Sequence, residues 1–182
     1  LIDVSETTRD TSTFALELKR GITDRFDIGV KVPYIYREQQ VRRRDILQES
    51  NLEQITASQG DGLGDIELSA HYQFNVADRG LPFVTGNLRF KSRTGKNPFE
   101  VARRDVVVDG ERVGTVFEEQ PTGSGFRAVQ PSLSVSYPTD PAAIFGNISY
   151  LWNLERDVSG EYGRIDPGDV FGISFGSGIS LN

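Results

Sequence analysis

The stretch Arg25-Phe-Asp-Ile-Gly-Val-Lys-Val-Pro-Tyr-Ile-Tyr-Arg37 decides the fold class. Its apolar residues recur at every second position from Phe26 to Tyr36, and the positions between them include Asp27 and Lys31. A period of two places alternate side chains on opposite faces of a β-strand, whereas at helical spacing the same residues would scatter around a cylinder. The stretch therefore predicts a strand with one apolar and one polar face.

The same alternation recurs in six further stretches of the chain, which are 13–20, 65–76, 81–93, 127–137, 142–154 and 170–181. This gives about seven strands of roughly ten residues, the length of a tilted strand that spans a membrane. Phe83 departs from the rule, because it falls on the polar face of its strand. The pattern predicts an all-β protein built as an antiparallel up-and-down transmembrane β-barrel.

The connections between these strands alternate in length. Those at 21–24, 77–80 and 138–141 are short, those at 38–63 and 94–125 are long, and 155–169 is intermediate. Tight periplasmic turns and long outer loops are typical of outer-membrane barrels. The pair Asp109-Gly110 between β-forming residues predicts a small hairpin inside the outer loop 94–125.

The position of the first strand predicts whether residues 1–182 form a complete barrel. Because that strand runs into a short turn, its start lies at the outer end, and residues 1–11 are expected to be the tail of an outer loop. The chain is then a single barrel domain that is incomplete at both ends. We expect its first and last strands not to pair completely with each other.

Composition argues against several function classes. The 182 residues include 20 Lys and Arg and 26 Asp and Glu, a net charge of −6, which is unfavourable for binding nucleic acid. Cysteine is absent and there is one histidine, so a disulfide framework and thiolate metal sites are excluded. We expect no enzymatic activity, no cofactor and no metal. The expected partners are the lipid bilayer, lipopolysaccharide and a small solute, with a homo-oligomer as a further option.

Aromatic residues on the apolar face cluster at both ends of the strands. Those near the long loops are Tyr34, Tyr36, Phe90, Tyr150, Trp152 and Phe171, and those near the short turns are Phe26, Tyr72, Phe74 and Tyr137. Two aromatic belts are what the two interfaces of a bilayer favour. The polar face of the last three strands carries mainly Ser, Asn, Gln and Gly, whereas soluble exteriors carry more Lys and Glu. A soluble antiparallel barrel that binds a small apolar ligand inside remains the alternative.

Charged residues concentrate on the polar face of the first four strands, and the expected lining consists of Glu17, Lys19, Asp27, Lys31, Asp65, Glu67, His71, Arg89 and Lys91. Such a row of charges either holds neighbouring strands together by ion pairs or selects ions in a pore, and the two roles are compatible. A turn at 76–80 would place Glu67 opposite Arg89 and Asp65 opposite Lys91.

Two smaller clusters have competing interpretations. Ser69 and His71 share one strand face, as in an outer-membrane lipase, but residues i and i+2 lie roughly 7 Å apart, too far for a direct hydrogen bond. A lumen-lining histidine is the favoured interpretation. The triplet Arg42-Arg43-Arg44 is either a solvated loop, which we favour, or a contact for lipopolysaccharide phosphates.

Several motifs together resemble one known family. Gly21-Ile-Thr-Asp-Arg-Phe-Asp-Ile-Gly-Val-Lys-Val-Pro-Tyr34, Gly62-Leu-Gly-Asp-Ile-Glu-Leu68 with Tyr72-Gln-Phe74, Arg93-Thr-Gly-Lys-Asn-Pro-Phe99 and the stretch 172–182 resemble the outer-membrane barrel family named after the meta-pathway of phenol degradation. The functional-amyloid export pores of pseudomonads are more distantly similar. The resemblance implies a channel or transporter in the bacterial outer membrane, for small solutes, aromatic compounds among them, or for an exported polypeptide. It supplies no catalytic residues.

Overall fold

The computed structural model describes residues 3–45, 54–75, 81–108, 110–139, 142–158 and 162–179. All regular structure in these ranges is β-structure. The twelve strands are β1 Asp3–Thr23, β2 Phe26–Asp45, β3 Gln54–Leu63, β4 Glu67–Gln73, β5 Phe83–Lys91, β6 Arg103–Val108, β7 Glu111–Phe117, β8 Ala128–Pro138, β9 Ala142–Asn153, β10 Arg156–Val158, β11 Gly163–Ile165 and β12 Val170–Ile179. The described ranges contain no helix long and apolar enough to cross a membrane.

One sheet contains most of these strands, in the order β1-β2-β4-β5-β8-β9-β12, with β3 paired to the far part of β2. The ladders from β2 to β12 are antiparallel. The seven strands of this path are the seven that the alternation predicts, so the all-β antiparallel prediction is confirmed. Strands β6–β7 and β10–β11 form two separate two-stranded sheets, and within the described ranges β1 and β12 are not neighbours.

The predicted extent of the first two strands and of the loop between 38 and 63 is wrong. Strand β1 begins at Asp3, so the residues from there to 11 are strand and not a loop tail. Strand β2 continues to Asp45 and pairs with β3 from Tyr34↔Leu63 to Arg43↔Gln54. Main-chain hydrogen bonds can hold such a ladder without a buried apolar face, and for this reason the weakly alternating polar sequence does not reveal it.

The register between β4 and β5 differs by two residues from the predicted one. Glu67 faces Lys91, and Ser69 faces Arg89. The predicted register would place Pro82 opposite Phe74, where proline has no N–H to donate to the ladder. Instead, the N–H of Phe74 donates to the carbonyl of Val84 at the end of the ladder. The side chain of Asn75 donates to the carbonyl of Pro82 and accepts from the N–H of Val84. The predicted turn at 77–80 lies outside the described residues.

The turn predicted at 21–24 is displaced, and the one predicted at 138–141 is only partly described. Strand β1 runs to Thr23, so the chain turns at residues 24 and 25, and the Thr23 hydroxyl accepts a hydrogen bond from the N–H of Arg25 at 3.3 Å. Pro138 belongs to β8, and Thr139 donates to the carbonyl of Ala142 from both its N–H and its hydroxyl. Residues 140 and 141 are outside the described part.

The chain divides into two compact units. The first consists of Leu1–Ala15, Val32–Asp65 and Arg93–Gly125, and the second of Leu16–Lys31, Ile66–Ser92 and Phe126–Asn182. Among the described residues, the buried apolar side chains are Val106, Ala128 and Val158, together with the prolines Pro33 and Pro121. Neither unit therefore owes its organisation to a large apolar core, and both rely on strand ladders, side-chain hydrogen bonds and ion pairs.

Candidate functional site

A polar cavity of about 350 Å³ lies against the sheet of the second unit. Side chains from six neighbouring strands, β1, β2, β4, β5, β8 and β9, line it, among them Glu17, Lys31, His71, Arg89, Gln130 and Ser149. Six neighbouring strands can line one cavity only if their sheet is curled, so the sheet of this unit is a half-barrel with its polar face on the concave side. We call this face the concave face.

Charged side chains on the concave face form a network across four strands. Glu67 in β4 accepts a hydrogen bond from Nη1 of Arg89 in β5 at 3.3 Å, and Nζ of Lys31 in β2 lies 3.8 Å from the same carboxylate. Nη2 of Arg89 donates to Oε1 of Gln130 in β8. Lys91, which faces Glu67 across the ladder, adds a further cation.

Asp27 and His71 form a second side-chain pair on this face. They are directly opposite in the β2–β4 ladder, with 2.6 Å between Oδ1 of Asp27 and Nδ1 of His71. Ser69 lies two residues from His71, and its Oγ occupies the space that a side chain at Gly29 would need. Within the described residues no hydrogen bond joins Ser69 to His71. The Ser–His contact that the lipase hypothesis would need is therefore not seen there.

Glu17 and Lys19, the remaining predicted charges of β1, pair with each other, with 3.1 Å between Nζ and Oε1. Both side chains are about half exposed. Together with the network around Glu67, they concentrate the charge of the concave face on β1, β2, β4 and β5, which we call the charged half.

The other side of the concave face carries no charge on β8, β9 and β12, and we call it the neutral half. Nδ2 of Asn147 donates to Oγ of Ser134 at 2.9 Å. Nδ2 of Asn87 reaches from β5 to the hydroxyls of Ser132 at 3.2 Å and Ser134 at 3.1 Å. These amide and hydroxyl groups continue the network of polar side chains across the strands without ions.

The opposite face of the second unit exposes its apolar side chains. Leu68 in β4, Leu88 in β5, Ile148 in β9 and Ile173 in β12 are between 44% and 73% exposed. In the ladders Leu133 faces Ile148, and Ile148 faces Ile173, so the exposed residues form continuous apolar rows across strands. We call this face the convex face.

Most of the predicted aromatic belt is exposed on the apolar side of its strands, namely Tyr34, Tyr36, Tyr72, Phe74, Tyr137, Tyr150, Trp152 and Phe171, whereas Phe26 and Phe90 are half-buried. Tyr72 and Phe74 pack edge to face with ring centroids 5.3 Å apart. The hydroxyl of Tyr150 donates to the carboxylate of Asp169 at 2.6 Å, and the hydroxyl of Tyr34 donates to Asp61. Both hydroxyls are thus held by carboxylate partners.

Asp65, predicted to face Lys91 on the concave face, lies elsewhere. It precedes β4, belongs to the first unit and is buried. Its carboxylate accepts hydrogen bonds from the N–H of Gly95 at 3.2 Å, and from the N–H and the hydroxyl of Ser124, both at 2.8 Å. A buried carboxylate needs such donors, and here main-chain groups of the stretch 94–125 supply them.

Further hydrogen bonds join the same three segments, 62–65, 94–97 and 120–125, which we call the loop clasp. The Thr122 hydroxyl donates to the carbonyl of Leu63 at 2.7 Å and accepts from the N–H of Lys96 at 3.0 Å. The Thr94 hydroxyl donates to the carbonyl of Gly64 at 2.9 Å. The motifs Gly62-Leu-Gly-Asp65 and Thr94-Gly-Lys-Asn97, which carry part of the family resemblance, therefore meet in one structure.

Strands β6 and β7 lie within the stretch 94–125, between two segments of the loop clasp. Gly110 in their turn has φ 83°, a left-handed value that suits an Asp-Gly turn. Nε of Arg112 pairs with Asp105 at 2.9 Å, and the guanidinium of Arg103 lies 4.7 Å from the ring centroid of Phe117.

In the arginine triplet, Arg42 is exposed and faces Ile55, and Arg43 faces Gln54. The triplet is part of β2 and not of a loop. The side chains of Arg43 and Arg44 lie outside the described part, and the lipopolysaccharide contact stays a prediction.

The structure adds uncharged residues to the predicted lining of charges. Gln130 completes the network of Arg89, and Asn87 and Asn147 connect the hydroxyls of the neutral half. The alternation already places these three residues on the polar face of their strands, which could have identified them as lining residues. The predicted lining did not include them because it was chosen by charge. The sequence matches no protein-family model, and the resemblance to the outer-membrane barrel family stays a prediction.

Proposed function

We propose that this chain forms part of a β-barrel channel of the bacterial outer membrane, with the concave face lining a wet lumen and the convex face against lipid. Small solutes cross by diffusion, and the charged half and the neutral half set which of them pass. The observation that carries the proposal is the distribution of side chains in the second unit. Its apolar rows are exposed on the convex face, and its polar side chains line the concave cavity.

This distribution is the reverse of what a soluble barrel requires. A soluble barrel that binds an apolar ligand encloses its apolar side chains and exposes charges. Here Glu67, Arg89 and His71 line the cavity, whereas residues such as Ile173 and Phe175 are 73% and 90% exposed. A bilayer removes that apolar surface from water at roughly 25 cal/mol per Å², which supports the membrane interpretation.

The lining also bears on the solute. Its cations and carboxylates are largely paired with each other, and half of the concave face is uncharged, so the lining lacks a strong field of one sign. Small polar or neutral solutes suit it better than a polyanion or polycation. The resemblance also suggests aromatic compounds and exported polypeptides as solutes, and these can be added to the reconstituted protein in the experiment below.

The decisive experiment is reconstitution of the full-length protein in lipid. We expect it to require detergent to stay monodisperse, to insert into liposomes, and to give discrete conductance steps in planar bilayers. A protein that is monodisperse without detergent and takes up an apolar fluorescent probe would be the soluble barrel instead. A liposome-inserted protein without conductance would contradict the channel but not the membrane location.

A further inference from the structure

Two phenylalanine rings interrupt the polar concave face in the neutral half and its border. Phe83 in β5 faces Ser136 in β8, and Ser136 faces Phe145 in β9. Both rings contribute to a second cavity of about 230 Å³, separate from the one lined by the charges. Phe83 is the residue whose position breaks the alternation of the sequence, and the proposed channel function does not require an aromatic residue there.

The spacing of the rings leaves a slot between them. Phe83 and Phe145 are two strands apart, which corresponds to about 10 Å at the usual strand spacing. The Phe145 ring lies over Gly176 in β12, where a side-chain Cβ would be only 2.6 Å from Cε2. The ring therefore leans away from Ser136. A flat group in contact with both rings needs roughly 7–8 Å between them, so the slot has room for one ring.

Polar groups without charge surround the slot. Thr85, Ser134, Ser136, Asn147 and Ser174 line the cavity, and none of its lining residues is charged. Within the described part of the chain, the hydroxyls of Thr85, Ser136 and Ser174 make no hydrogen bond to other residues. They are donors and acceptors that water or a ligand must satisfy.

We infer that this slot is a binding subsite for a neutral polyhydroxylated ring, such as a pyranose of an uncharged sugar. The electron-rich faces of Phe83 and Phe145 attract the C–H faces of such a ring, and the hydroxyls and the Asn147 amide match its hydroxyl edge. A purely aromatic solute would use the rings but leave the surrounding hydroxyl groups unmatched. The inference rests on the proposed function only in requiring that the concave face is wet.

The test measures binding of maltotriose to the full chain in detergent micelles by saturation-transfer NMR and calorimetry. We expect Phe145→Ala and Phe83→Ala each to weaken maltotriose binding by roughly five- to tenfold, the value of one aromatic contact. Phe175→Ala is the matched control, because Phe175 is one residue from the register partner of Phe145 but lies on the convex face and is 90% exposed. It should leave binding unchanged, and circular dichroism verifies that all variants keep their strand content.

Two further probes define the ligand class. Gluconate, which adds a charge, should bind at least tenfold more weakly than maltotriose, and phenol should also bind more weakly, because it leaves the hydroxyl groups around the slot unmatched. Maltotriose binding that is insensitive to both phenylalanines, or phenol binding that replaces it, would overturn the inference. Conductance without maltotriose binding refutes the subsite alone, whereas Phe145-dependent binding without conductance upholds the subsite and refutes the channel.

Discussion

Glu67 and Arg89 are in contact, with 3.3 Å between Oε1 and Nη1, although neither faces the other in the ladder. The contact is diagonal, since Glu67 faces Lys91 and Arg89 faces Ser69. One carboxylate therefore pairs with cations on two neighbouring strands, Lys31 in β2 and Arg89 in β5. Its removal should change the charge balance of the cavity more than the loss of one ion pair would.

We expect Glu67→Gln to shift the selectivity of the proposed channel towards anions, because Lys31 and Arg89 would then share a cavity without their carboxylate. The reversal potential under a KCl gradient measures this shift. The free energy of unfolding should fall only by about 0.5–1 kcal/mol, since the ion pairs are partly exposed. Glu118→Gln, an exposed residue of the first unit, is the control. An unchanged reversal potential would contradict a role of Glu67 in selectivity.

Neighbouring residues of β9 test the assignment of the two faces. Ile148 lies on the convex face and Asn147 on the concave face. In the proposed membrane-inserted state, Ile148→Lys should destabilise the protein by about 2–4 kcal/mol, because it places a charge in lipid near the middle of the strand. Asn147→Lys should cost less, about 0.5–1.5 kcal/mol, for the lost hydrogen bond to Ser134. Urea unfolding in liposomes measures both, and equal effects would refute the assignment.

Asp65 should be essential for the loop clasp. Asp65→Asn replaces one carboxylate oxygen by an NH2 group, which cannot accept the hydrogen bonds that Gly95 or Ser124 donates. A cost of about 1–3 kcal/mol is expected for the unsatisfied buried donors. Limited proteolysis of the stretch 94–125 should become faster. Cleavage at the wild-type rate would show that the other bonds of the clasp suffice.

Gly95 allows two main-chain segments of the loop clasp to touch. A Cβ at Gly95 would lie 2.7 Å from the Cα and N atoms of Gly123, and main-chain atoms cannot move aside easily. Gly95→Ala should cost about 1–3 kcal/mol through overpacking. Gly21→Ala is the matched control, because nothing lies within 4 Å of its Cβ, and it should be neutral or slightly stabilising. Thermal unfolding distinguishes the two.

Acidification should loosen the hairpin of β10 and β11. A hydrogen bond from Arg164 lowers the pKa of Glu155 below its ordinary value. The contact therefore stabilises the hairpin above the ordinary carboxylate range, and this contribution is lost as the pH falls through the lowered pKa. The protection factors of the hairpin amides, which are corrected for the intrinsic pH dependence of exchange, should fall over that range in the wild type. In Glu155→Gln the protection should already be low at neutral pH and lose this acid dependence.

The alternation of apolar and polar residues predicts those features of the fold that depend on local sequence. Each of the seven strands of the main path has a period of two, so their existence and their polar faces follow from the sequence. The register of β4 and β5 does not follow from it, because the Asn75 side chain bonds the Pro82 carbonyl and the Val84 N–H, and no periodic signal marks such a contact. Glu67 faces Lys91 and not Arg89, and in this register Pro82 does not face Phe74.

The loop clasp could not be predicted from periodicity. Asp65 continues the alternation of its strand, so the pattern placed it on the concave face, yet it binds main-chain groups of residues 30 and 59 positions away. Contacts of this kind depend on where glycines let two segments approach closely, as at Gly95 and Gly123. No periodic signal marks such an approach.

The turn at Gly110 has a practical consequence for engineering. A Cβ there would meet no atom within 4 Å, and the turn is exposed between β6 and β7. Residues 96 and 122 are joined behind it by the hydrogen bonds of Thr122, so the two strands start from a fixed base. Exposed turns on a fixed base tolerate inserted peptides well. An epitope tag placed at Gly110 would thus leave the concave face unchanged, and for the proposed outer-membrane protein its detection on intact cells would test whether this turn lies at the cell surface.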